Sequence, residues 1–289
     1  MLYLPHHIPA SLSLASATYS LSGWKQVDGV LRVLFLNLMP QKEVTELDIA
    51  RTLQHTGVDV QLIPVKLKGQ TFKTTPMSHM QAFYLDIEDL QEESFDRMIV
   101  TGAPLEQMPF EHVRYWEQLC RVMDWADKHI PRTLYVCWGA QAGLYHFYGI
   151  DKHALPSKMF GIFRQCVLRA DSPLMSGLLP DFPMPNSRHT EVRRAEIAGH
   201  AAEGLHIVAE SEESGVGVVA TDNLKRTFIV GHLEYEPYTL HNEYHRDLAK
   251  QLPIHEPVHY YKADGSVDYS WESAALRFYT NWLVAREER

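Results

Sequence analysis

The segment Thr133-Leu-Tyr-Val-Cys137-Trp-Gly139-Ala-Gln-Ala142-Gly143-Leu sets one thiol between a short apolar run and a cluster of small residues. A nucleophile elbow is built this way: the side chain sits on a tight strand-to-helix turn, and small neighbours let the backbone bend sharply. The start of a helix favours a thiolate, and the backbone N–H of Trp138 is placed to stabilise an oxyanion. Taken alone, the segment also fits a buried structural cysteine. Cys120 falls within a helical apolar stripe and Cys166 beside an apolar run, so both read as packing residues. Three cysteines without CxxC spacing form neither a disulfide framework nor a zinc site, and the 16 histidines contain no HExxH pair. No metal is expected.

A thiolate nucleophile needs a base and a group to orient that base. Thr227-Phe-Ile-Val-Gly231-His232-Leu-Glu234 supplies both at the end of a second apolar run. In extended chain, residues two apart point the same way, so Glu234 can hold the His232 imidazole in one tautomer. An isolated His-x-Glu is commonly a surface pair; beside the cysteine turn it completes a triad.

These groups need a frame. The runs Val33–Leu36, Val58–Val65, Met98–Val100 and Leu134–Val136 are continuous and as long as strands buried on both faces. Helical patterns separate them, over Glu43–His55 (Val44, Leu47, Ile49 and Leu53) and Phe110–Lys128. Alternation of this kind predicts an α/β fold, a doubly wound, mostly parallel sheet with helices on both faces. Sites in such sheets gather at the carboxyl ends of strands, where Cys137 and His232 both fall. Residues from Leu155 to Pro185 read as irregular because Pro and Gly are dense. Segments near 205–209 and 216–220 read as hairpin-like strands, and 227–230 as a return to the main sheet. Helices are predicted over Pro237–Leu252, with Pro at its first position, and Trp271–Ala285, packing through Leu276, Phe278, Tyr279 and Trp282. Residues 1–30 form an N-terminal arm and 31–289 a single domain with insertions in its second half.

The net charge of −9 argues against nucleic-acid or anionic-membrane binding, which need a basic face. No run approaches 18 apolar residues, and the N-terminus lacks the basic region of a signal peptide, so a cytoplasmic location is the expectation.

Leu36-Asn-Leu-Met-Pro40, Thr101-Gly-Ala-Pro104, Tyr115-Trp116, Val136-Cys-Trp-Gly-Ala-Gln-Ala142, Ser187-Arg-His-Thr-Glu191, Gly231-His-x-Glu-Tyr235 and Thr280-Asn-Trp-Leu283 run in order over nearly the whole chain. With these motifs the chain resembles the homoserine O-succinyltransferase family, whose fold is similar to that of class I glutamine amidotransferases. The resemblance implies ping-pong transfer. Cys137 takes an acyl group from acyl-CoA as a thioester, and the hydroxyl of a small amino acid removes it, deprotonated by His232 with Glu234 orienting. It implies an oxyanion hole from the N–H of Trp138 and one near Leu105, a lysine near the nucleophile at Lys42, and acceptor binding by Lys158, Ser187 and Arg246. It also implies a homodimer, acetyl-CoA as co-substrate and no bound cofactor.

The family position after Thr-Gly-Ala-Pro-x carries glycine with succinyl donors and glutamate with acetyl donors; here it is Glu106. A succinyl carboxylate about 4 Å from Glu106 would be repelled by about 4 kcal/mol at an effective dielectric near 20, roughly a thousandfold discrimination. Three departures stand out. Pro185-Asn186-Ser187-Arg188 replaces Pro-His-Ser-Arg, Trp271-Glu272-Ser273-Ala274 replaces Trp-Arg-Ser-His, and the N-terminus lacks Arg-Pro-Leu. Asn186 adjoins Ser187, so the acceptor stands as L-homoserine with L-serine, one methylene shorter, as the alternative. Two further readings share the cysteine: a glutamine amidotransferase, and a redox or binding protein that would need neither His232 nor Glu234.

Overall fold

The four continuous apolar runs lie at the middle of one sheet, where both faces of each strand are covered. The computed structural model describes residues 1–21 and 26–285. In chain order the elements are β1 (Leu2–Pro5), α1 (Pro9–Ser13), β2 (Ala17–Tyr19), β3 (Leu31–Leu36), α2 (Lys42–His55), β4 (Val60–Lys66), α3 (Met77–Phe83), β5 (Leu85–Asp86), β6 (Arg97–Val100), α4 (Trp116–His129), β7 (Arg132–Val136) and α5 (Trp138–Tyr148). There follow β8 (His153–Val167), β9 (Asp181–Glu191), α6 (Arg194–Gly199), β10 (Leu205–Ser211), β11 (Gly215–Thr221), β12 (Arg226–Ile229), α7 (Thr239–Ala249) and α8 (Glu272–Val284). The strand order is β2-β1-β4-β3-β6-β7-β12-β11-β10-β8-β9, with β5 beside β4. Pairings from β2 through to β12 are parallel, and those from β12 to β9 antiparallel. This is a mostly parallel α/β sheet, as the alternating pattern predicts.

Side chains alternate across the sheet with a period of two. Val33 and Phe35 join a core layer with Ile49 and Leu53 of α2 and Phe278 and Trp282 of α8. Leu34 and Leu36 join the opposite layer with Leu119 and Val122 of α4 and Leu144 of α5. From β3 the chain steps to β4 on one side and to β6 on the other, so the strand order reverses there. Crevices at such reversals, beyond the strand carboxyl ends, are where doubly wound sheets bind ligands. The loops after β3 and β6 are tied together at this point by the Leu38 N–H donating to Thr101 Oγ1 at 2.8 Å.

Several expectations are corrected. The arm is part of the sheet: β1 pairs in parallel with β4, and β2 with β1, while residues 22–25 of it lie outside the described residues. The span read as irregular contains most of the long antiparallel pair β8–β9. Its prolines Pro183 and Pro185 sit in β9, the outermost strand of the sheet, where a missing N–H donor is tolerated. The helix begun at Phe110 is broken. Phe110–His112 is a single 3₁₀ turn, and α4 starts at Trp116. Helix α7 starts at Thr239 rather than Pro237, whose carbonyl accepts the Tyr260 hydroxyl. On α2, Val44 faces solvent at 48% exposure, and on α8 Leu276 is 38% exposed. The inward face of α2 instead buries Lys42, Glu46 and Asp48.

Candidate active site

Cys137 occupies the turn between β7 and α5 with φ 54° and ψ −117°. A side chain in that conformation costs about 1–3 kcal/mol, and Cys137 is left 7% exposed. The Cys137 N–H donates to Ile229 O at 2.7 Å, and α5 begins one residue later. Glycine is required at 139, because a Cβ there would lie 2.6 Å from Thr101 O and 2.9 Å from Val100 O. That contact seats α5 against the end of β6. The Trp138 N–H is the first of the donors a helix start leaves unbonded. Leu105 does not join it: its N–H donates to Ala103 O at 2.8 Å, turning it into its own loop. The backbone that does approach is Gly102, from which a Cβ would reach Cys137 Cβ at 3.2 Å and Trp138 N at 3.4 Å.

His232 and Glu234 come together as predicted, although on a turn after β12 rather than on extended chain. His232 Nδ1 and Glu234 Oε1 are 2.7 Å apart, each side chain 5% exposed. Burial works against the imidazolium, but the facing Cys137 and Glu234 overcome it and raise His232 well above the ordinary histidine value. Tyr235 stacks on the His232 ring, centroids 4.0 Å apart and planes 10° apart, and its carbonyl is held by Trp271 Nε1 at 2.9 Å. The imidazole is thus fixed on one edge by Glu234 and on one face by Tyr235.

Glu106 reaches the same place. Its Oε1 lies 3.9 Å from Cys137 Sγ, and its Oε2 accepts the His189 N–H at 2.9 Å. Lys42 is fully buried but donates to Asn37 O at 2.7 Å and Met39 O at 2.8 Å. Its hydrogen bonds therefore hold the β3–α2 loop rather than Cys137, and burial lowers the ammonium to about 8.

Lys158, Ser187 and Arg246 converge, but on a residue that sequence reasoning missed. Glu243 Oε1 accepts from Lys158 Nζ at 2.7 Å, from Ser187 Oγ at 3.0 Å and from Arg246 Nη2 at 3.4 Å. Asp247 takes Arg246 Nε at 2.7 Å. The signal was present as Glu243 three residues before Arg246 on a helical segment, the spacing of a same-face pair. Arg188 was passed over too. It is 1% exposed and donates to Asn186 Oδ1 at 3.1 Å, Thr190 O at 2.7 Å and Ser214 O. Asn186, the departure noted above, is therefore a buried partner of Arg188 and lies next to Ser187 of this cluster.

Asp48 lies behind Glu234, 4% exposed. Burial and the Glu234 charge, opposed by Arg51 and His232, push its carboxyl from 3.8 to about 8. An acid raised on folding keeps its proton in the native state where the unfolded chain has lost it. Its stabilising effect is full below the unfolded value and is lost as pH rises through the folded one. Asp48→Asn, neutral at every pH, is expected to melt progressively higher than the parent as pH climbs from about 4 to about 8. A melting-temperature difference that stays constant over that window contradicts a protonated Asp48.

A strained cysteine at a strand-to-helix turn, a buried His-Glu pair beside it and a mostly parallel sheet define a class I glutamine amidotransferase-like fold with a Cys-His-Glu site. Solved structures agree on the fold. A glutamine amidotransferase from Thermotoga maritima superposes with a TM-score of 0.59 at 12% identity, covering 88% of this chain and 96% of that one. A glutamine amidotransferase from Methylobacillus flagellatus gives 0.55 at 11% identity, covering 90% and 97%. Residues 18–287 match the family described as homoserine O-succinyltransferase, and the chain belongs to that family of acyltransferases. It is 49% identical to the homoserine O-acetyltransferase of Parabacteroides distasonis over 88% of this chain and 82% of the relative. It is 44% identical to that of Azobacteroides pseudotrichonymphae over 98% and 91%, and 41% identical to that of Brevibacillus brevis over 97% and 93%. Among the described residues no helix is long and apolar enough to cross a membrane.

Proposed function

We propose that the protein moves an acetyl group from acetyl-CoA through a Cys137 thioester to the hydroxyl of L-homoserine, a step of methionine biosynthesis, as a cytoplasmic homodimer without a bound cofactor. The observation that carries the donor is the Glu106 carboxylate, 3.9 Å from Cys137 Sγ. An acetyl methyl tolerates that neighbour, whereas a succinyl carboxylate is repelled by it. The relatives named as homoserine O-acetyltransferases support the same donor and acceptor.

In the first half-reaction the Cys137 sulfur, its proton passed to His232, attacks the acetyl carbonyl. The Trp138 N–H stabilises the oxyanion, and the C–S bond to CoA breaks as His232 returns the proton to the leaving sulfur. In the second, His232 takes the proton of the acceptor hydroxyl, whose oxygen attacks the thioester. The tetrahedral intermediate collapses, releasing the ester, and Cys137 regains its proton. Glu234 holds the imidazole through both steps.

The acceptor is a zwitterion, and the cluster beside Ser187 has both signs of charge. Lys158 and Arg246 suit its carboxylate, and Glu243 suits its ammonium. Glu243→Gln keeps the shape and removes the charge, so KM for the acceptor is expected to rise about 10- to 100-fold, the worth of a charged hydrogen bond. Acylation of Cys137 by acetyl-CoA alone should change little. An unaltered acceptor KM contradicts the assignment.

One observation favours a second acceptor. The family histidine beside Ser187 is replaced by Asn186, whose carbonyl is engaged by Arg188. L-Serine differs from homoserine by one methylene, a difference worth about 10- to 200-fold in a pocket. Acetyl-CoA turnover measured side by side with both amino acids decides. A higher kcat/KM with L-homoserine upholds the proposal. A higher value with L-serine replaces it with serine acetylation, a step toward cysteine.

A further inference from the structure

We propose that Glu106 opposes ionisation of Cys137 in the unliganded enzyme, its Oε1 standing within reach of the thiol S–H, so that the carboxylate that selects the acyl donor also sets how readily His232 draws off the thiol proton. This rests on reading Cys137 as the nucleophile. The geometry is specific on both oxygens. Oε1 is within hydrogen-bond reach of Sγ at 3.9 Å, at the long end for a sulfur donor, and Oε2 is anchored by the His189 N–H at 2.9 Å. Anchoring prevents the carboxylate from swinging away when the sulfur ionises. An anion held there opposes a second negative charge on the sulfur.

The other groups around this pair come from every element at the site. His232 and Tyr235 follow β12, Arg188 and His189 lie on β9, and Lys152, whose ammonium also faces the Glu106 charge, precedes β8. Burial raises the Glu106 carboxyl, and the His189 N–H together with the positive side chains of His189, His232 and Arg188 draws it back toward the ionised form. Two proton acceptors therefore compete for one thiol proton: the Glu106 carboxylate, which leaves the sulfur neutral, and the His232 imidazole, which generates the attacking thiolate. Removing the Glu106 charge leaves His232 alone. The S–H bond then breaks, with its proton forming the imidazolium N–H, at a lower pH.

The test measures the rate of Cys137 alkylation by iodoacetamide against pH, in a Cys120→Ser, Cys166→Ser background so that one thiol reports. Glu106→Gln is nearly isosteric and retains an acceptor for the His189 N–H; Glu106→Gly serves if the glutamine variant does not fold, folding being checked by circular-dichroism melting. Either variant is expected to move the midpoint of the rate–pH curve down by about one unit, making alkylation about tenfold faster below both midpoints. An unmoved midpoint overturns the proposal, including the case in which the rate rises by one factor at every pH, which is access without a change in ionisation. Alkylation needs no acyl donor, so this outcome is separate from that of acetyl transfer, which is read by labelling the same proteins with acetyl-CoA.

Discussion

Replacing Glu106 with glycine is expected to turn succinyl-CoA from a rejected donor into an accepted one, with a shift in kcat/KM preference of up to about a thousandfold. The carboxylate stands 3.9 Å from Cys137 Sγ, the sulfur proposed to receive the acyl group, so on that reading any donor acyl chain passes beside it. Two carboxylates about 4 Å apart repel by about 4 kcal/mol at an effective dielectric near 20, and a glycine removes both the charge and the bulk. Acetyl transfer should survive, because the methyl group makes no use of the carboxylate. The measurement is kcat/KM for both donors, with the mass of the acyl-enzyme as a direct readout. A folded variant that still acetylates Cys137 but remains inert toward succinyl-CoA removes the electrostatic account of donor choice.

Glu234→Gln is expected to lower kcat/KM by about 10³- to 10⁴-fold. The 2.7 Å bond from His232 Nδ1 to Glu234 fixes which ring nitrogen faces the nucleophile. An amide at that position accepts no second charge and stabilises the imidazolium poorly. His232→Ala removes the base itself, and the double variant should lose little more than His232→Ala alone, because the two side chains act as one unit. Losses that multiply instead mean that Glu234 acts independently of His232.

The sheet was legible because its strands announce themselves. Runs such as Leu134–Val136 are buried on both faces and carry no polar alternation to confuse them with surface strands. The Cys137 turn and the His232–Glu234 pair were legible for the same reason, since each follows the end of such a run. What escaped reading is where tertiary contacts overrule local composition. Proline-rich β9 is a strand because the outermost position tolerates missing donors. Val44 was assigned inward, yet α2 turns Glu46 and Asp48 to the interior, since Glu46 there meets His79 and Tyr84 and Asp48 lies behind Glu234. Leu105 was a reasonable neighbour of the nucleophile, but a single turn bond to Ala103 withdraws its N–H. The Glu243–Arg246 spacing was readable on its helix, but the other partners of Glu243, Lys158 and Ser187, are 85 and 56 residues away, and that convergence is set by tertiary contacts.

The central claim is that Cys137 carries the acyl group between two substrates. Incubating the protein with acetyl-CoA and no acceptor, then locating the adduct by peptide mass spectrometry, tests it most directly. One acetyl group on Cys137, lost on addition of the amino-acid acceptor with formation of its O-acetyl ester, is the expected result. A folded protein that stays unmodified, or that carries the acetyl group elsewhere while Cys137 remains free, contradicts it.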